Sequence, residues 1–255
     1  MVEERFFLDI SYKGTHFAGW QIQPNAWTVQ AELEKALSTV FGQPTSCMGA
    51  GRTDAGVHAE QLMVHVDAPR AMDLRILHQL NGLLGPDVAV NAIYKPVKPD
   101  LHARFDATYR AYRYQIIRRK SPIHREFAMW VRQVLDIPAM QTAAKILFEF
   151  EEFGSFCKSH AGNATNFCRI DRAEFEETGE LLNFHIQADR FLRGMVRATI
   201  GTLLLVGQGK LDQEGFRAIL AKQDRRAAGP NAPAAGLFLT KVGYPKGSLI
   251  QVAGK

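Results

Sequence analysis

Gly49-Ala50-Gly51-Arg52-Thr53-Asp54-Ala55-Gly56-Val57-His58 is the stretch on which the reading of this chain turns. Three glycines and two alanines surround one carboxylate, with an arginine two residues before it. Apolar alternation resumes directly afterwards in Leu62, Val64 and Val66, which puts the loop at the lip of a strand, where a rigid scaffold can hold a side chain without burying it. Glycine permits the close backbone approach that a substrate lying against the main chain requires. Two readings fit the pattern: a loop built to present Asp54 for chemistry, and a Gly-rich turn whose aspartate hydrogen-bonds its own backbone.

Outward from this loop, Phe6, Leu8, Ile10 and Tyr12 alternate with Phe7, Asp9 and Ser11 as in a strand, and Lys13-Gly14-Thr15 opens a polar and aromatic segment that ends in Trp20-Gln21-Ile22-Gln23-Pro24. Thr28 is placed to cap a helix with Val29, Leu33, Leu37 and Val40 inward, ending at Phe41-Gly42. Asp73 is placed to cap another, with Leu74, Leu77, Leu80 and Leu84 inward, before Gly85-Pro86-Asp87 and a strand from Val88 to Tyr94. The stiff connector Lys95-Pro96-Val97-Lys98-Pro99 marks a boundary, giving a first half over 1–100 and a second over 101–255.

The second half predicts strands over Tyr109 to Ile117 and Met129 to Val134, then a helix opened by Pro138 with Ala143, Ala144, Leu147 and Phe148 inward. A hairpin of Arg169 to Glu176 and Leu181 to Ala188 follows, then a helix from about Phe191 to Val206, a shorter one after Asp212, and a closing strand from Leu237 to Val242. Phe150 to Asn166 shows no clear period. The pattern is that of an α+β protein with two similar halves, and the cleft between them is the natural site.

A chain of 255 residues with 46% hydrophobic content buries a substantial core, and its net charge of +5 favours a polyanionic partner. The three cysteines, Cys47, Cys157 and Cys168, form neither a disulfide framework nor a zinc ribbon, so a reducing cytoplasm is expected. No apolar run has the length of a bilayer span or a signal-peptide core, so export and membrane insertion are not expected. Among eight histidines there is no HxxxH pair with a suitably spaced third ligand, so no metal site is expected, and His58 reads as a brace for its loop. No GxxxxGK[ST] cradle for phosphoryl transfer exists. Covalent nucleophilic attack and general-base work remain for Asp54.

Side-chain alternation puts Arg110, Tyr112 and Tyr114 on one face of their strand, with Tyr112 suited to stack on an unpaired base and Tyr114 to core packing. Arg190, Arg193 and Arg197 line one face if a single helix includes them all. A carboxylate in a partly closed cleft needs an opposite charge to stay ionised, and Arg52 and Arg197 are the candidates; Arg52 has phosphate reading as its alternative role.

Gly51 to His58 resembles the signature of the TruA family of pseudouridine synthases. Matching pieces recur in order: Tyr12-Lys13-Gly14 through Gly19-Trp20-Gln21, His102-Ala103-Arg104-Phe105 with Arg110-Ala111-Tyr112-Arg113-Tyr114, and Met195-Val196-Arg197 with Gly201. The resemblance implies a pseudouridine-synthase-like fold, a mixed and mainly antiparallel sheet with flanking helices, and two halves around a central basic cleft. It implies isomerisation of uridine in the anticodon stem-loop of tRNA, with no cofactor and in a homodimer. It makes Asp54 the essential carboxylate, has Tyr112 stack on the target uracil and Arg52 and Arg197 support the aspartate and the flipped nucleotide, and has Leu237 line the base pocket. The basic residues Arg104, Arg118, Arg119 and Lys120 are expected on phosphates. Asp189 stands where relatives tend to carry asparagine, and Phe150 to Asn166 matches loosely.

Overall fold

A computed structural model describes residues 3–158 and 165–254, and part of the loosely matching stretch, 159–164, lies outside the described residues. The protein is mixed α+β, with mainly antiparallel strands and flanking helices. The chain divides into two compact units, one from the described parts of Met1–Thr108 and Leu239–Lys255, the other from Tyr109–Phe238.

The first unit begins with β1 (Glu4–Tyr12), α1 (Val29–Phe41), β2 (Cys47–Gly49), β3 (His58–Ala68), α2 (Leu74–Leu83) and β4 (Val88–Pro96). β1 is central, antiparallel to both β3 and β4, with β2 antiparallel to β3. It is buried on both faces: Phe6, Leu8 and Ile10 belong to the core on one side, while Phe7 on the other meets Tyr244 edge-on at 5.5 Å. The helices start where the local chemistry requires. Thr28 Oγ1 accepts the Ala31 N–H and Asp73 Oδ1 the Ile76 N–H, each such cap contributing about 1 kcal/mol. Val29, Leu33 and Leu37 of α1 and Ile76, Leu77 and Leu80 of α2 are buried, but Leu74 is 52% exposed. As the first residue after the cap, Leu74 falls outside the apolar stripe that Ile76, Leu77 and Leu80 define.

The second unit contains β5 (Tyr109–Ile117), β6 (Met129–Trp130), α3 (Ile137–Lys145), β7 (Ile170–Thr178), β8 (Leu181–Ala188), α4 (Met195–Gly207) and α5 (Gln213–Lys222). β8 lies between β5 and β7, antiparallel to each, and β6 runs parallel to the end of β5. Strand pairing over Met129 to Val134 is confined to β6, beyond which the chain bends at Gln133. Pro138 sits in the first turn of α3, as expected of the residue that opens it, and Asp136 caps the helix, its Oδ1 accepting the Ala139 N–H; Phe148 stands half exposed in the tighter turn beyond the helix end.

The helix expected from Phe191 begins only at Met195. Gly194, at φ 75°, sets the chain in the left-handed conformation immediately before it, and Asp189 Oδ1 accepts the Arg169 and Arg190 N–H groups, holding the approach as a turn. Arg190 and Arg193 therefore precede the helix and do not share its face with Arg197.

The chain leaves the second unit within β9 (Leu237–Gly243) and ends with β10 (Leu249–Gly254), antiparallel to the outer side of β4. The C-terminal segment thus rejoins the first unit, unlike the division at residue 100 expected from the connector. Bonds that secure it there include Val242 N–H donating to Gln61 Oε1 at 3.1 Å and Thr108 N–H to the Gly243 carbonyl at 2.8 Å. Among the described residues no helix is long and apolar enough to cross a membrane.

Candidate active site

The loop before β3 is fastened to the segment that follows β1. Trp20 N–H donates to the Thr53 carbonyl at 3.1 Å, Gly56 N–H to the Phe17 carbonyl at 3.3 Å and Ala50 N–H to the Met63 carbonyl at 2.8 Å. Beneath the loop, the hydroxyls of Tyr12 and Thr53 share a buried hydrogen bond of 2.8 Å. His58, 1% exposed, accepts the Gly14 N–H on Nδ1 at 3.0 Å, so its ring proton sits on Nε2 and the imidazole acts as the expected brace. Gly14 lies so close beneath Val57 that a Cβ would stand 2.0 Å from its carbonyl oxygen. The main chain from Ala50 to His58 is therefore fixed at most of its length.

Onto this base the loop sets Arg52 exposed, Thr53 buried and Asp54 half-exposed. The Asp54 carbonyl accepts the Val57 N–H at 3.2 Å, which closes the turn with backbone atoms. The carboxylate is neither sealed in the core nor carried on a loose tip, a placement that suits a reacting group.

Tyr112, Arg197 and Leu237 belong to the second unit, where Tyr114 organises them. Tyr114 is fully buried, as core packing requires, and its hydroxyl donates to the Pro233 carbonyl at 2.9 Å. Burial pushes that hydroxyl well above its ordinary pKa, while the nearby Arg197 charge pulls it down. Arg197, in the first turn of α4, donates from Nε to the Ala232 carbonyl at 2.7 Å, and Ala232 N–H returns a bond to the Arg197 carbonyl at 2.9 Å. Gly236 packs against the Tyr114 ring, and Leu237, 5% exposed, begins β9 directly after it. Arg197 and Leu237 are thus gathered by the segment from 230 to 236, whose part the sequence pattern does not reveal; its one sign is the glycine at 201 in the middle of α4, against which the Pro230 carbonyl packs. On β5, two residues before Tyr114, Tyr112 stands half-exposed and meets Phe191 edge-on at 5.1 Å. Arg110, the third residue of that face, donates to the Asp189 carbonyl at 2.9 Å.

The basic residues expected on phosphates separate into kinds. Arg118 pairs with Glu177 and Arg119 with Glu180 on the β7–β8 hairpin, so their charges are already compensated. Arg104 lies over the ring of Phe105, with Cζ 5.6 Å from the centroid. On β3, His65 accepts the Ala103 N–H on Nδ1 at 3.0 Å, and burial, reinforced by the Arg5 charge, lowers its pKa to about 4. Cys47, Cys157 and Cys168 are free and buried, and burial raises the pKa of Cys47 and carries that of Cys168 to about 12. Among the described residues no three histidine, cysteine, aspartate or glutamate side chains are grouped to hold a metal ion.

Comparison with known proteins gives this arrangement its family. Residues 143–245 match the profile of a family described as tRNA pseudouridine synthase. Over 247 residues the chain is 48% identical to tRNA pseudouridine synthase A of Bacteroides thetaiotaomicron, covering 95% of this chain and 91% of that protein. The tRNA pseudouridine synthase A of Bacteroides fragilis is 46% identical over 250 residues, 96% of this chain and 98% of its own length. That of Thermus thermophilus is 42% identical over 252 residues, again 96% and 98%. Similarity this high along nearly the whole length means that the chain belongs to the TruA family of tRNA pseudouridine synthases.

Proposed function

We propose that this RNA pseudouridine synthase isomerises uridines in the anticodon stem-loop of tRNA, without a cofactor, using the Asp54 carboxylate as its nucleophile. One observation carries the reading: a half-exposed carboxylate stands on a loop whose main chain is tied down on both sides of it. In the reaction the bond between N1 of uracil and C1′ of ribose breaks, the base turns, and C5 bonds to C1′. The proton leaves C5 and N1 takes one up, so the mass of the RNA is unchanged. A carboxylate fits such covalent catalysis, since attack splits one difficult exchange into two easier steps.

Arg52 and Arg197 support Asp54 and hold the everted nucleotide, through donors that never lose their protons. Tyr112 stacks on the uracil, and Leu237 lines the base pocket. Everting a nucleotide costs a few kcal/mol. One aromatic stack returns about 1–3 kcal/mol, so phosphate contacts have to contribute the remainder. The net charge of +5 favours them, and two copies forming one basic cleft would concentrate that field. Three free, buried thiols suit a reducing cytoplasm.

The test is incubation of an unmodified tRNA transcript with the protein, followed by digestion and chromatography for the C5-linked isomer. The wild type is expected to convert anticodon-arm uridines, and Asp54→Asn to lose turnover while still binding the RNA. Full turnover by Asp54→Asn, or cleaved RNA and released uracil with the wild type, would overturn the reading.

A further inference from the structure

Phe105 is the most exposed aromatic side chain among the described residues, with 75% of its surface open. A lone exposed apolar residue is unremarkable on a mobile loop tip. This one is held rigidly. His102 N–H donates to Asp106 Oδ2 at 2.6 Å and Asp106 N–H to the His102 carbonyl at 3.1 Å, while His102 Nδ1 accepts the N–H groups of Arg104 and Phe105 at 3.0 and 3.3 Å. Ala103 is pinned on both sides, its N–H to His65 at 3.0 Å and its carbonyl by the Tyr244 hydroxyl at 2.5 Å. The rings continue the anchoring outward. His65 meets His102 edge-on at 4.7 Å, and Phe105 rests on His102 at 4.4 Å with 31° between the planes. A buried strand thus supports a column of rings whose last member faces water beside the Arg104 guanidinium.

The geometry points to Phe105 and Arg104 as a second RNA-docking point, where an unpaired base of the tRNA stacks on the ring and the guanidinium takes the adjoining phosphate. An open ring on a fixed support suits any base, because every base has a π-face, and a neighbouring arginine matches the chain that links the bases. His65 lies seven residues along β3 from His58, where the Asp54 loop joins the strand, a distance of about 23 Å at roughly 3.3 Å per residue. The nucleotide at Phe105 is therefore not the one that reacts at Asp54, and the contact governs how the substrate is held. This inference rests on the proposed action on tRNA.

The test compares the wild type with Phe105→Leu, which keeps apolar packing on His102 but removes the flat face, and with Phe105→Trp, which restores it. The readout is release of tritium from C5 of labelled uridine in a tRNA transcript. Phe105→Leu is expected to raise KM for tRNA about ten-fold with kcat held, and Phe105→Trp to return KM to near the wild-type value. An unchanged KM in Phe105→Leu, with the wild type turning over, overturns the docking point alone. A change in oligomeric size without a change in KM also overturns it and assigns the ring to contact between copies. A wild type that converts no tRNA uridine removes the parent reading instead.

Discussion

Gly14 offers the sharpest way to ask whether the backing of the Asp54 loop matters to chemistry. An alanine Cβ there would lie 2.0 Å from the Val57 carbonyl oxygen and 2.6 Å from the carbonyl carbon, both backbone atoms that no rotamer change can move aside. Ordinary contact needs about 3.4 Å or more, so residues 14 and 57 must part by more than 1 Å. That movement breaks the 3.0 Å bond from Gly14 N–H to His58 Nδ1 and leaves a buried imidazole acceptor without this donor, at about 1–3 kcal/mol. Because Val57 N–H closes the turn on the Asp54 carbonyl, the shift carries into the loop that holds the carboxylate. A displacement of about 1 Å in a reacting group costs roughly 100-fold in rate. Gly14→Ala is therefore expected to stay folded with a lower denaturation midpoint and to lose about two orders of magnitude in kcat, measured by tritium release from C5-labelled tRNA. Gly82→Ala is the control: it lies in α2 of the same unit, outside the Asp54 loop, and an added Cβ meets nothing within 4 Å, so it should remain within a few-fold of wild type. Equal damage from both substitutions, or none from Gly14→Ala, would refute the claim that the segment under the loop sets the position of Asp54.

Two further outcomes concern stability. Gly201→Ala improves helix propensity by about 1 kcal/mol, yet its Cβ would stand 1.7 Å from the Pro230 carbonyl oxygen, so overpacking prevails and urea denaturation should show a net loss of about 1–3 kcal/mol. The same substitution pushes the 230–236 segment from α4 and loosens Arg197 from the Ala232 carbonyl, so a stabilised variant would contradict the packing described. His65 titrates near 4 in the fold against 6.5 unfolded, so its contribution is complete above pH 6.5 and lost as the pH falls through 4. The shift corresponds to about 3 kcal/mol in full, reduced to about 1–2 kcal/mol because water reaches part of the site. His65→Asn, whose amide oxygen can accept the Ala103 N–H but does not titrate, should show a shallower loss of stability between pH 7 and 4; identical acid slopes would exclude His65 as a contributor.

The parts of this protein that could be read from its sequence are those decided within a few residues. Thr28 and Asp73 cap their helices because a side-chain oxygen reaches an N–H three positions on, and β1, β3 and β5 declare themselves by alternation. The loop setting of Asp54 and the strand setting of Tyr112 were legible for the same reason, one framed by glycines and the other lying in an alternating run. α4 was legible as a helix but not in its start: Phe191 and Leu192 continue its apolar period, and only the left-handed Gly194 shows that the helix begins later. Contacts made across long separations left no comparable local mark. β10 finds the edge of β4 after an excursion through the whole second unit, so the connector near residue 100 gave no sign that the C-terminus returns.

The support of the site shares that limit. Tyr12 reaches Thr53 across 41 residues and Gly14 reaches His58 across 44. Glycine in a sequence announces that something comes close without saying what, and His58 announces a polar ring without saying which nitrogen is occupied. What the fold adds is the pairing of these signals: the glycine that gives its N–H to the histidine is also the one that makes room for Val57, so a single backbone position both braces the Asp54 loop and sets its height. Such a dual constraint predicts that substitutions at Gly14 and His58 will be strongly non-additive, the second costing little once the first has parted the two segments.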